Sequence, residues 1–289
     1  MGLTIKELIP VGEKILADAG VEDYKIDAEA LLGYRIAFDK QKIFMNWTYE
    51  VDDLRCEDYF DLLRRRAGGE PLQYITGEQY FFGHRLHVNP SVLIPRPETE
   101  LLAEKAISYL NKREGAKTVL DLCTGSGAIS ISIAKACPRL KVTASDVSEE
   151  ALSVARRNAL DLGVSGRVEF INSDLFGSIK RGAFGRKYDL IATNPPYIKS
   201  GTLMSLQREI RDHEPMTALD GGEDGLDFYR RIAADAQAYM RKNSCLMAEI
   251  GCDQAQDVSA ILGAAGFRNI EISRDLSGLD RIITAFPSF

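Results

Sequence analysis

The chain has 289 residues, with 36 Lys or Arg against 42 Asp or Glu, so its formal net charge is −6. Its 45% apolar and 27% charged residues are typical of a globular protein of about two domains, and they exclude an extensively disordered chain. No apolar run approaches the roughly 18 residues of a membrane span, and the N-terminus lacks the apolar segment of a secretion signal. We therefore expect a cytoplasmic protein that does not associate with membranes.

The negative charge is concentrated at the start of the chain. Residues 1–77 contain 10 basic and 15 acidic residues, a net charge of 10 − 15 = −5, whereas residues 78–289 contain 26 and 27, a net charge of −1. Proteins that bind nucleic acids usually carry a basic face, because neutralising phosphates supplies much of their affinity. The count leaves room for a local basic patch, but we expect no direct nucleic acid partner.

The cysteines and histidines argue against a disulfide framework and against a metal site. The five cysteines are odd in number and contain no C-x-x-C pair, which fits a reducing cytoplasm. The three histidines, His84, His87 and His213, have no further potential ligands clustered at metal-binding spacing. We therefore expect no bound metal.

The first quarter of the chain predicts a small helical bundle. Apolar residues recur on one helical face from Ile5 to about Gly20, with an interruption near Pro10. Two further helices are predicted over about residues 27–38 and 52–67, and no strand pattern occurs before residue 70. We assign residues 1–77 to an N-terminal helical domain.

Residues 78–95 change character and predict a β-hairpin linker. The β-prone triplets Tyr80-Phe81-Phe82 and Leu86-His87-Val88 flank Gly83-His84, which is a turn signal. A helix is predicted to open close to Pro97, because proline and acidic residues are favourable in a first helical turn.

The remainder, residues 96–289, alternates strands and helices, which is typical of a parallel sheet covered by helices on both faces. The predicted strands are 118–122, 142–146, 168–171, 189–193, 245–250, 269–273 and 281–286, and the predicted helices after residue 117 are 128–136, 149–162, 227–241 and 254–265. The last two strands are joined too tightly for a crossover helix, so the last should run antiparallel near one edge. This pattern resembles the class I methyltransferase fold, a Rossmann-like α/β architecture with a mostly parallel seven-stranded sheet.

A glycine-containing loop follows the first of these strands. Its sequence is Asp121-Leu122-Cys123-Thr124-Gly125-Ser126-Gly127, and Asp146 ends the next strand about twenty residues later. Glycines at a strand-to-helix turn let the backbone approach a ligand, and an acid at the next strand end can accept hydrogen bonds from ribose hydroxyls. The loop alone is also compatible with a plain tight turn, and it is not the G-x-G-x-x-G loop of nicotinamide enzymes.

The second motif, Asn194-Pro195-Pro196-Tyr197, comes directly after the strand at 189–193. Two prolines make the loop rigid and remove two N–H donors, so that the loop is rich in carbonyl acceptors. The Asn194 side-chain oxygen and the Pro195 carbonyl can together bind both hydrogens of a planar NH₂ group. Such a nitrogen is a poor nucleophile, so holding it in line with an activated methyl group is the main task of a catalyst.

These and further segments resemble the release factor glutamine methyltransferases of the PrmC/HemK type. The resemblance extends over nearly the whole chain, through the segments 65–77 (RRAGGEPLQYITG), 92–100 (VLIPRPETE), 194–197 (NPPY), 214–215 (EP), 218–222 (ALDGG), 224–226 (DGL) and 249–251 (EIG). The resemblance implies S-adenosyl-L-methionine as methyl donor, S-adenosyl-L-homocysteine as product, and methylation of the glutamine in the Gly-Gly-Gln motif of peptide chain release factors. Because residues 1–77 carry most of the negative charge, which suits a basic protein partner, we expect them to form the substrate-recognition domain. We expect the enzyme to be a monomer.

The resemblance also implies residue roles. Thr124, Gly125 and Gly127 would line the methionine part of the donor, and Cys123 and Ser126 of the same loop are also expected to bind the donor. Asp146 would bind the ribose, and Asp174 and Leu175 would lie near the adenine. The substrate amide would be held, and catalysis carried, by Asn194, Pro195, Pro196 and Tyr197. Asn194 would also border the donor. Cys123 departs from the family, which usually has glycine there, and its side chain would crowd the donor unless φ is negative. We expect donor binding to survive, because Gly125 and Gly127 remain.

Other functions stay open on the residues alone. The exocyclic amine of adenine in DNA or RNA presents the same planar nitrogen to the same tetrapeptide, and base-flipping enzymes act on it. Glutamine methylation of a ribosomal protein is a closer alternative. A regulator that binds the donor without catalysis is disfavoured by the intact tetrapeptide.

Overall fold

The computed structural model describes residues 2–115, 117–179 and 187–289. The chain divides into two compact units, one of Met1–Glu78 with Gln207–His213 and one of Gln79–Leu206 with Glu214–Phe289. The first unit ends one residue after the predicted helical domain, and almost all of the predicted linker lies in the second unit. The three-part division with its assigned roles stays a prediction.

The first unit is built from helices around one buried apolar core. Its helices are α1 (Ile5–Asp18), α2 (Tyr24–Ile36), α3 (Lys40–Met45), α4 (Asp53–Ala67), α5 (Leu72–Thr76) and, from much later in the chain, α9 (Arg208–His213). Capping residues define where they begin: Thr4 and Glu7 form a capping box before α1, and the Asp52 carboxylate accepts a hydrogen bond from the Arg55 N–H at 2.9 Å before α4. The core that they enclose includes Leu8, Leu31 and Tyr59.

Two predictions for this unit are wrong. Helix α1 continues through Pro10 without interruption, because its apolar face, which includes Leu8 and Leu16, is fully buried and that packing outweighs the missing backbone hydrogen bond. Two short strands do occur before residue 70: β1 (Leu3–Thr4) pairs antiparallel with β2 (Glu50–Val51). Strands of two residues are too short to leave an alternating pattern in the sequence.

A buried cation ties the late helix α9 into the first unit. The Arg66 guanidinium donates to the Asp27 carboxylate at 2.6 Å, to the Glu209 carboxylate of α9 at 2.7 Å and to the Glu70 carbonyl at 3.2 Å. Burial raises the pKa of the Asp27 carboxyl, and the neighbouring guanidinium opposes that shift. Loss of one of these partners would destabilise the fold, because the buried charge would no longer be fully compensated.

The second unit contains the predicted hairpin and sheet. The hairpin is β3 (Glu78–Phe81) with β4 (His84–His87), and it turns at Phe82 and Gly83, both of which have positive φ. The sheet strands are β5 (Thr118–Leu122), β6 (Lys141–Asp146), β7 (Val168–Asn172), β8 (Tyr188–Thr193), β9 (Met240–Glu249), β10 (Arg268–Arg274) and β11 (Asp280–Phe286). The helices of this unit are α6 (Pro97–Asn111), α7 (Ala128–Ala136), α8 (Glu149–Asp161), α10 (Asp227–Asp235) and α11 (Ala255–Ala264).

The topology confirms the predicted fold class. Among the described residues, seven strands form one sheet in the order β10-β11-β9-β8-β5-β6-β7. The β5–β6, β5–β8, β6–β7 and β8–β9 pairs are parallel, and β11 is antiparallel to both of its neighbours, one position from the edge. The carboxyl ends of β5, β6, β8 and β9 therefore lie along one edge of the sheet, where ligands bind in open α/β folds.

One helix is shorter than the sequence predicts. The pattern at 227–241 predicts a single helix, but α10 ends at Asp235, a 3-10 turn covers Ala236–Tyr239, and β9 already begins at Met240. The apolar residues at the end of the predicted helix are buried there as a turn and a strand, so their hydrophobicity was compatible with either element. In the part of the chain that the structure describes, no helix is both long and apolar enough to cross a bilayer.

Candidate functional site

An open cleft lies at the carboxyl ends of the central strands. Its walls come from the loops after β5, β6, β7 and β8 and from the segment before α6. Within the second unit it is lined by Ser91, Val92, Leu93, Pro95, Arg96, Thr99, Cys123, Thr124, Gly125, Ser126, Ala128, Ile129, Asp146, Val147, Ser148, Ala151, Ser173, Asp174, Leu175, Asn194, Pro196, Pro215, Thr217, Ala218 and Phe228. A concave cleft lined by both apolar and polar residues is typical of small-molecule and cofactor sites.

Most of the residues singled out from the sequence line this one cleft. They are Cys123, Thr124, Gly125, Ser126, Asp146, Asp174, Leu175, Asn194 and Pro196. Gly127, Pro195 and Tyr197 are not among its lining residues. The topology therefore brings together motifs that are up to about seventy residues apart, since each follows a strand of the same sheet.

The glycine loop turns sharply after β5, and three of its residues have positive φ. Gly125 (φ +54°) has open space where a Cβ would stand, with no described atom within 4 Å, and its N–H donates to the Asp146 Oδ2 at 2.8 Å. Gly127 (φ +83°) caps α7, and a Cβ there would lie 2.8 Å from Ile131 and 3.2 Å from Ala155. Gly125 therefore leaves room for a ligand, whereas Gly127 is required for packing below the loop.

Asp146 holds this loop to the end of β6. Its Oδ2 accepts the Gly125 N–H, and its Oδ1 accepts the Ser148 N–H at 3.0 Å. Burial raises the pKa of the Asp146 carboxyl, and these backbone donors oppose the shift. The carboxylate lines the cleft, so it can also accept hydrogen bonds from hydroxyl groups of a ligand.

Asp121 supports the loop from a fully buried position in β5. Its Oδ2 accepts the Thr124 hydroxyl at 2.6 Å and the Ser130 N–H at 3.1 Å, whereas its Oδ1 has no hydrogen-bond partner among the described residues. Burial raises the pKa of the Asp121 carboxyl to about 7, and the hydrogen bonds to Thr124 and Ser130 act against that rise. A half-satisfied buried carboxylate is costly, so protonation near neutral pH is expected.

Cys123 adopts the left-handed backbone conformation, with φ of +58°. Its φ is therefore not the negative value that would keep the side chain from crowding a ligand. Cys123 is one of the residues that line the cleft. Burial and the nearby Asp146 and Asp121 carboxylates raise the pKa of the Cys123 thiol, which is opposite to the shift that activates a nucleophilic cysteine.

The loop after β7 carries a second strained residue. Leu175 has φ of +47° and is buried, and its carbonyl accepts the Ser173 hydroxyl at 2.8 Å, which stabilises the turn. The neighbouring Asp174 is exposed and forms two 2.7 Å hydrogen bonds with Arg231. This loop therefore presents an apolar side chain to the cleft with a charged pair at its rim.

The tetrapeptide after β8 presents two acceptor oxygens. The Asn194 Nδ2 donates to the Thr99 Oγ1 at 3.2 Å, which directs the Asn194 Oδ1 away from that bond. Neither the Asn194 Oδ1 nor the Pro195 carbonyl oxygen accepts a hydrogen bond from any residue that the structure describes. These two acceptors are the chemical feature that the sequence predicts for binding a planar NH₂ group.

Tyr197 has a different position from the one expected for it. Its hydroxyl donates to the buried Glu249 Oε1 at 3.2 Å instead of lining the cleft, and its carbonyl accepts the Gln254 Nε2 at 2.9 Å. Burial raises the pKa of the Tyr197 phenol, and the Glu249 carboxylate adds to the shift. Tyr197 therefore fixes the tetrapeptide to β9 and α11.

Glycines from the segment before α10 pack directly on the tetrapeptide backbone. A Cβ at Gly221 would lie 2.7 Å from the Tyr197 Cα, and one at Gly225 would lie 2.5 Å from the Tyr197 carbonyl oxygen. The Gly221 N–H also donates to the Ile198 carbonyl at 2.8 Å. The sequence shows these glycines as part of a motif, but only the structure gives the reason for them.

A partly buried ion pair joins two segments of the cleft wall. The Arg96 guanidinium donates to the Glu214 Oε1, and the Ile94 N–H donates to the Glu214 Oε2 at 3.4 Å. The Glu214 side chain is 1% exposed. This pair joins the segment before α6 to the Glu214-Pro215 turn, so two separate sequence motifs form one wall.

Thr99 and Glu249 are residues whose position the sequence did not predict. Thr99 contacts Asn194, and Glu249 contacts Tyr197, although they lie 95 and 52 residues away in the chain. The sequence signal that could have identified them was their place in the motifs at 92–100 and 249–251. Within the described residues, no group of three or more His, Cys, Asp or Glu side chains is arranged to hold a metal ion.

Two family models match the chain. A model described as the PrmC N-terminal domain matches residues 7–77, and one described as the methyltransferase small domain matches residues 99–214. The release factor glutamine methyltransferase of Clostridium acetobutylicum is 38% identical over 284 residues and covers 98% of both chains. The protein of the same name from Moorella thermoacetica is 37% identical over 285 residues, covering 98% of this chain and 99% of its own.

Solved methyltransferase structures share the fold of the second unit. The 16S rRNA N2 G1207 methyltransferase of T. thermophilus, in complex with AdoMet and guanosine, superposes with a TM-score of 0.52 at 16% identity, over 73% of this chain and 49% of that one. A ribosomal protein L11 methylase from Lactobacillus delbrueckii subsp. bulgaricus has a TM-score of 0.50 at 17% identity, over 73% and 89% of the two chains. At these identities the likeness concerns the fold alone.

The Asp121 carboxyl predicts a pH-dependent stability. The folded protein retains the Asp121 proton up to about pH 7, whereas an unfolded chain releases it near pH 4. Folding free energy is therefore lost as pH rises through that window, by a few kcal/mol, since a change of one in pKa corresponds to about 1.4 kcal/mol. We expect the Asp121→Asn variant not to lose this free energy as pH rises. Its free energy of unfolding should equal that of the wild type near pH 4 and exceed it near pH 8.

Urea unfolding of both proteins at the two pH values measures this difference. Burial also raises the pKa values of Asp146 and Glu249, but these contribute to the wild type and the variant alike. A stability difference between the two proteins that does not change with pH would contradict the prediction.

The positive φ at Cys123 predicts that a glycine variant is more stable than an alanine variant at this position, which is the reverse of their order inside a helix. Cys123→Gly and Cys123→Ala both remove the thiol, but only alanine keeps a Cβ at positive φ, which costs about 1–2 kcal/mol. We expect the glycine variant to be more stable by about 1 kcal/mol in urea unfolding. In the matched pair at Ser132, inside α7, glycine should instead be less stable than alanine by about 0.5–1 kcal/mol. The same order at both positions would contradict the left-handed assignment.

Proposed function

We propose that this chain, which belongs to the release factor glutamine methyltransferase family, transfers a methyl group from S-adenosyl-L-methionine to the side-chain amide nitrogen of the glutamine in the Gly-Gly-Gln motif of peptide chain release factors. It is a protein-(glutamine-N5) methyltransferase. The observation that carries the proposal is the pair of unbonded acceptor oxygens on Asn194, which lines the cleft, and on Pro195, the next residue. The glycine loop and the Asp146 carboxylate line the same cleft.

The acceptor pair addresses the chemistry of an amide nitrogen. Its lone pair is delocalised into the carbonyl, so the nitrogen is a weak nucleophile that needs accurate positioning. The Asn194 Oδ1 accepts one N–H of the glutamine side chain and the Pro195 carbonyl accepts the other, which fixes the plane of the amide. Positioning of this kind can supply roughly 7–11 kcal/mol, and the proton leaves after the nitrogen has become cationic.

The residues of the cleft fit the methyl donor. The backbone at Gly125 leaves open space, the Asp146 carboxylate lines the cleft where it can accept ribose hydroxyl hydrogens, and Leu175 provides an apolar wall for an adenine. The donor supplies a sulfonium methyl group that is already electrophilic. Cys123 narrows the loop but leaves the Gly125 side open, so we propose that it reduces donor affinity without abolishing binding.

The first unit is proposed as the docking domain for the release factor. Residues 1–77 carry a net charge of −5, which suits attraction to a basic partner such as a protein that itself binds RNA. The unit also exposes several large apolar side chains at the end of α3 and beyond. We call these residues the α3 patch, and its members are Phe44, Met45, Trp47, Tyr49 and Leu54. Exposed aromatic and methionine side chains are typical of protein-binding surfaces.

Methyl transfer from a labelled donor to purified release factor tests the function directly. Label should enter the wild-type release factor but not a variant with alanine in place of the glutamine of the Gly-Gly-Gln motif. Asn194→Ala should lower kcat by about 10²–10³-fold, because one of two preorganised hydrogen bonds to the reacting group is lost. Label that persists in the glutamine variant, or that enters only nucleic acid, would overturn the assignment.

The docking proposal predicts a KM effect that depends on the size of the substrate. Phe44→Ser should raise KM for the whole release factor by about tenfold, since an interface aromatic contributes about 1–2 kcal/mol, and should leave a short Gly-Gly-Gln peptide unaffected. The matched control is Ile26→Ser, an exposed apolar residue of α2 outside the α3 patch. KM for the release factor should also rise with salt, because screening weakens attraction between opposite charges. Equal effects on the peptide and the whole protein would argue against docking at this patch.

A further inference from the structure

A chain of polar side chains begins at the tetrapeptide in the cleft wall, at Asn194 and Thr99, and leads to a buried carboxyl group. It begins at the Asn194 carboxamide, whose Nδ2 is 3.2 Å from the Thr99 Oγ1. It continues to Glu249, whose Oε1 accepts the Tyr197 hydroxyl at 3.2 Å. Thr99 is 4% exposed and Glu249 is 1% exposed, so neither side chain has ready access to solvent.

The strand register places this chain at the reacting residue. Thr193 of β8 pairs with Ala248 of β9, so Asn194 and Glu249 are the next residues along two neighbouring parallel strands. Thr99 comes from the first turn of α6. Burial raises the pKa of the Glu249 carboxyl, and the Thr99 hydroxyl opposes that shift. The Glu249 Oε2 is buried and has no hydrogen-bond partner among the described residues.

The direction of the hydrogen bonds in this chain matters for catalysis. A carboxamide can present either its oxygen or its NH₂ group to a neighbour, and a hydroxyl can either donate or accept. If the Thr99 hydroxyl donated to Asn194, the Asn194 oxygen would face Thr99, and its NH₂ group would face the substrate amide. Two NH₂ groups facing each other cannot form the hydrogen bond that positions the glutamine.

We infer that Thr99 and Glu249 are positioning residues that set the orientation of the Asn194 carboxamide. In its ionised form Glu249 accepts at both oxygens, and we assign the unpartnered Oε2 as the acceptor of the Thr99 hydroxyl hydrogen. With its single hydrogen directed toward Glu249, the Thr99 oxygen can only accept from Asn194 Nδ2. The Asn194 Oδ1 is thereby held toward the substrate nitrogen.

Tyr197 connects the same carboxylate to the other end of the tetrapeptide. Its hydroxyl donates to the Glu249 Oε1, which leaves Oε2 as the oxygen without a partner among the described residues. The Tyr229 hydroxyl donates to the Glu249 backbone carbonyl at 2.8 Å and fixes the strand end on which the carboxylate stands. Glu249 therefore holds Asn194 through Thr99 and holds Tyr197 directly, so both ends of the tetrapeptide depend on one buried group.

This inference rests on the proposed function, and its test separates the two. Thr99→Val keeps the shape of the side chain but removes the hydroxyl, whereas Thr99→Ser keeps the hydroxyl. We expect Thr99→Val to lower kcat by about 10–100-fold, the scale of a misplaced reacting group, and Thr99→Ser to stay within about threefold of the wild type. The Kd of S-adenosyl-L-methionine, from calorimetry, should change less than about threefold in both variants, which separates positioning from loss of the cleft.

Glu249→Gln tests whether Glu249 sets the direction of the Thr99 hydroxyl hydrogen. A glutamine has one oxygen, which Tyr197 occupies, so its NH₂ group would face the Thr99 oxygen and turn the Thr99 hydrogen toward Asn194. We expect a loss in kcat similar to that of Thr99→Val. The double variant should be no more than about twofold worse than Thr99→Val alone, since both changes break the same chain. Thr143→Val, at a buried threonine of β6 that does not line the cleft, is the matched control and should keep wild-type kcat.

The outcomes distinguish the inference from the proposed function. A wild type that methylates no release factor contradicts the function. A wild type that is active, with Thr99→Val equally active or with Thr99→Ser as impaired as Thr99→Val, overturns the role of the hydroxyl. Additive losses in the double variant overturn the shared chain, and the two Thr99 variants decide the matter even if Glu249→Gln does not fold.

Discussion

The constraint on which the site depends is the backbone of two consecutive prolines at the end of β8. Neither proline has a backbone N–H, so this segment cannot donate the hydrogen bonds of a helix or a sheet. Its carbonyl oxygens can accept hydrogen bonds from a group that approaches. The surroundings adapt to this rigid loop. Gly221 and Gly225 contact its backbone where no side chain would fit, and the Gln254 side chain takes up the Tyr197 carbonyl.

The sheet explains why motifs scattered along the chain form one cleft. Each of the loops after β5, β6, β7 and β8 leaves the same edge, so the glycine loop, Asp146, Leu175 and Asn194 meet without any long-range signal in the sequence. Strand periodicity and turn residues were sufficient to predict that edge, together with the antiparallel β11. They could not predict contacts across it, and the bond between Asn194 and Thr99 joins residues that no periodicity relates.

Local conformation was less predictable than topology where packing outweighs propensity. Cys123 and Leu175 have positive φ values, which L-residues rarely adopt, and the neighbouring sequence does not indicate this conformation. Pro10 lies inside a helix because the buried face of that helix stabilises it. The helix predicted at 227–241 ends early, at Asp235, because Tyr239 and Met240 are buried as part of a turn and a strand. In each case the deciding energy comes from residues distant in the chain.

The position of α9 has a consequence for how this protein can be divided. The helix belongs to the first unit, yet the residues on both sides of it belong to the second, so the chain passes between the units three times. A fragment that stops at Glu78 would lose Glu209 and leave the buried Arg66 charge with only part of its compensation. The first unit is therefore not a removable module, and a gene fusion or truncation made at the obvious boundary would separate a helix from the bundle to which it belongs.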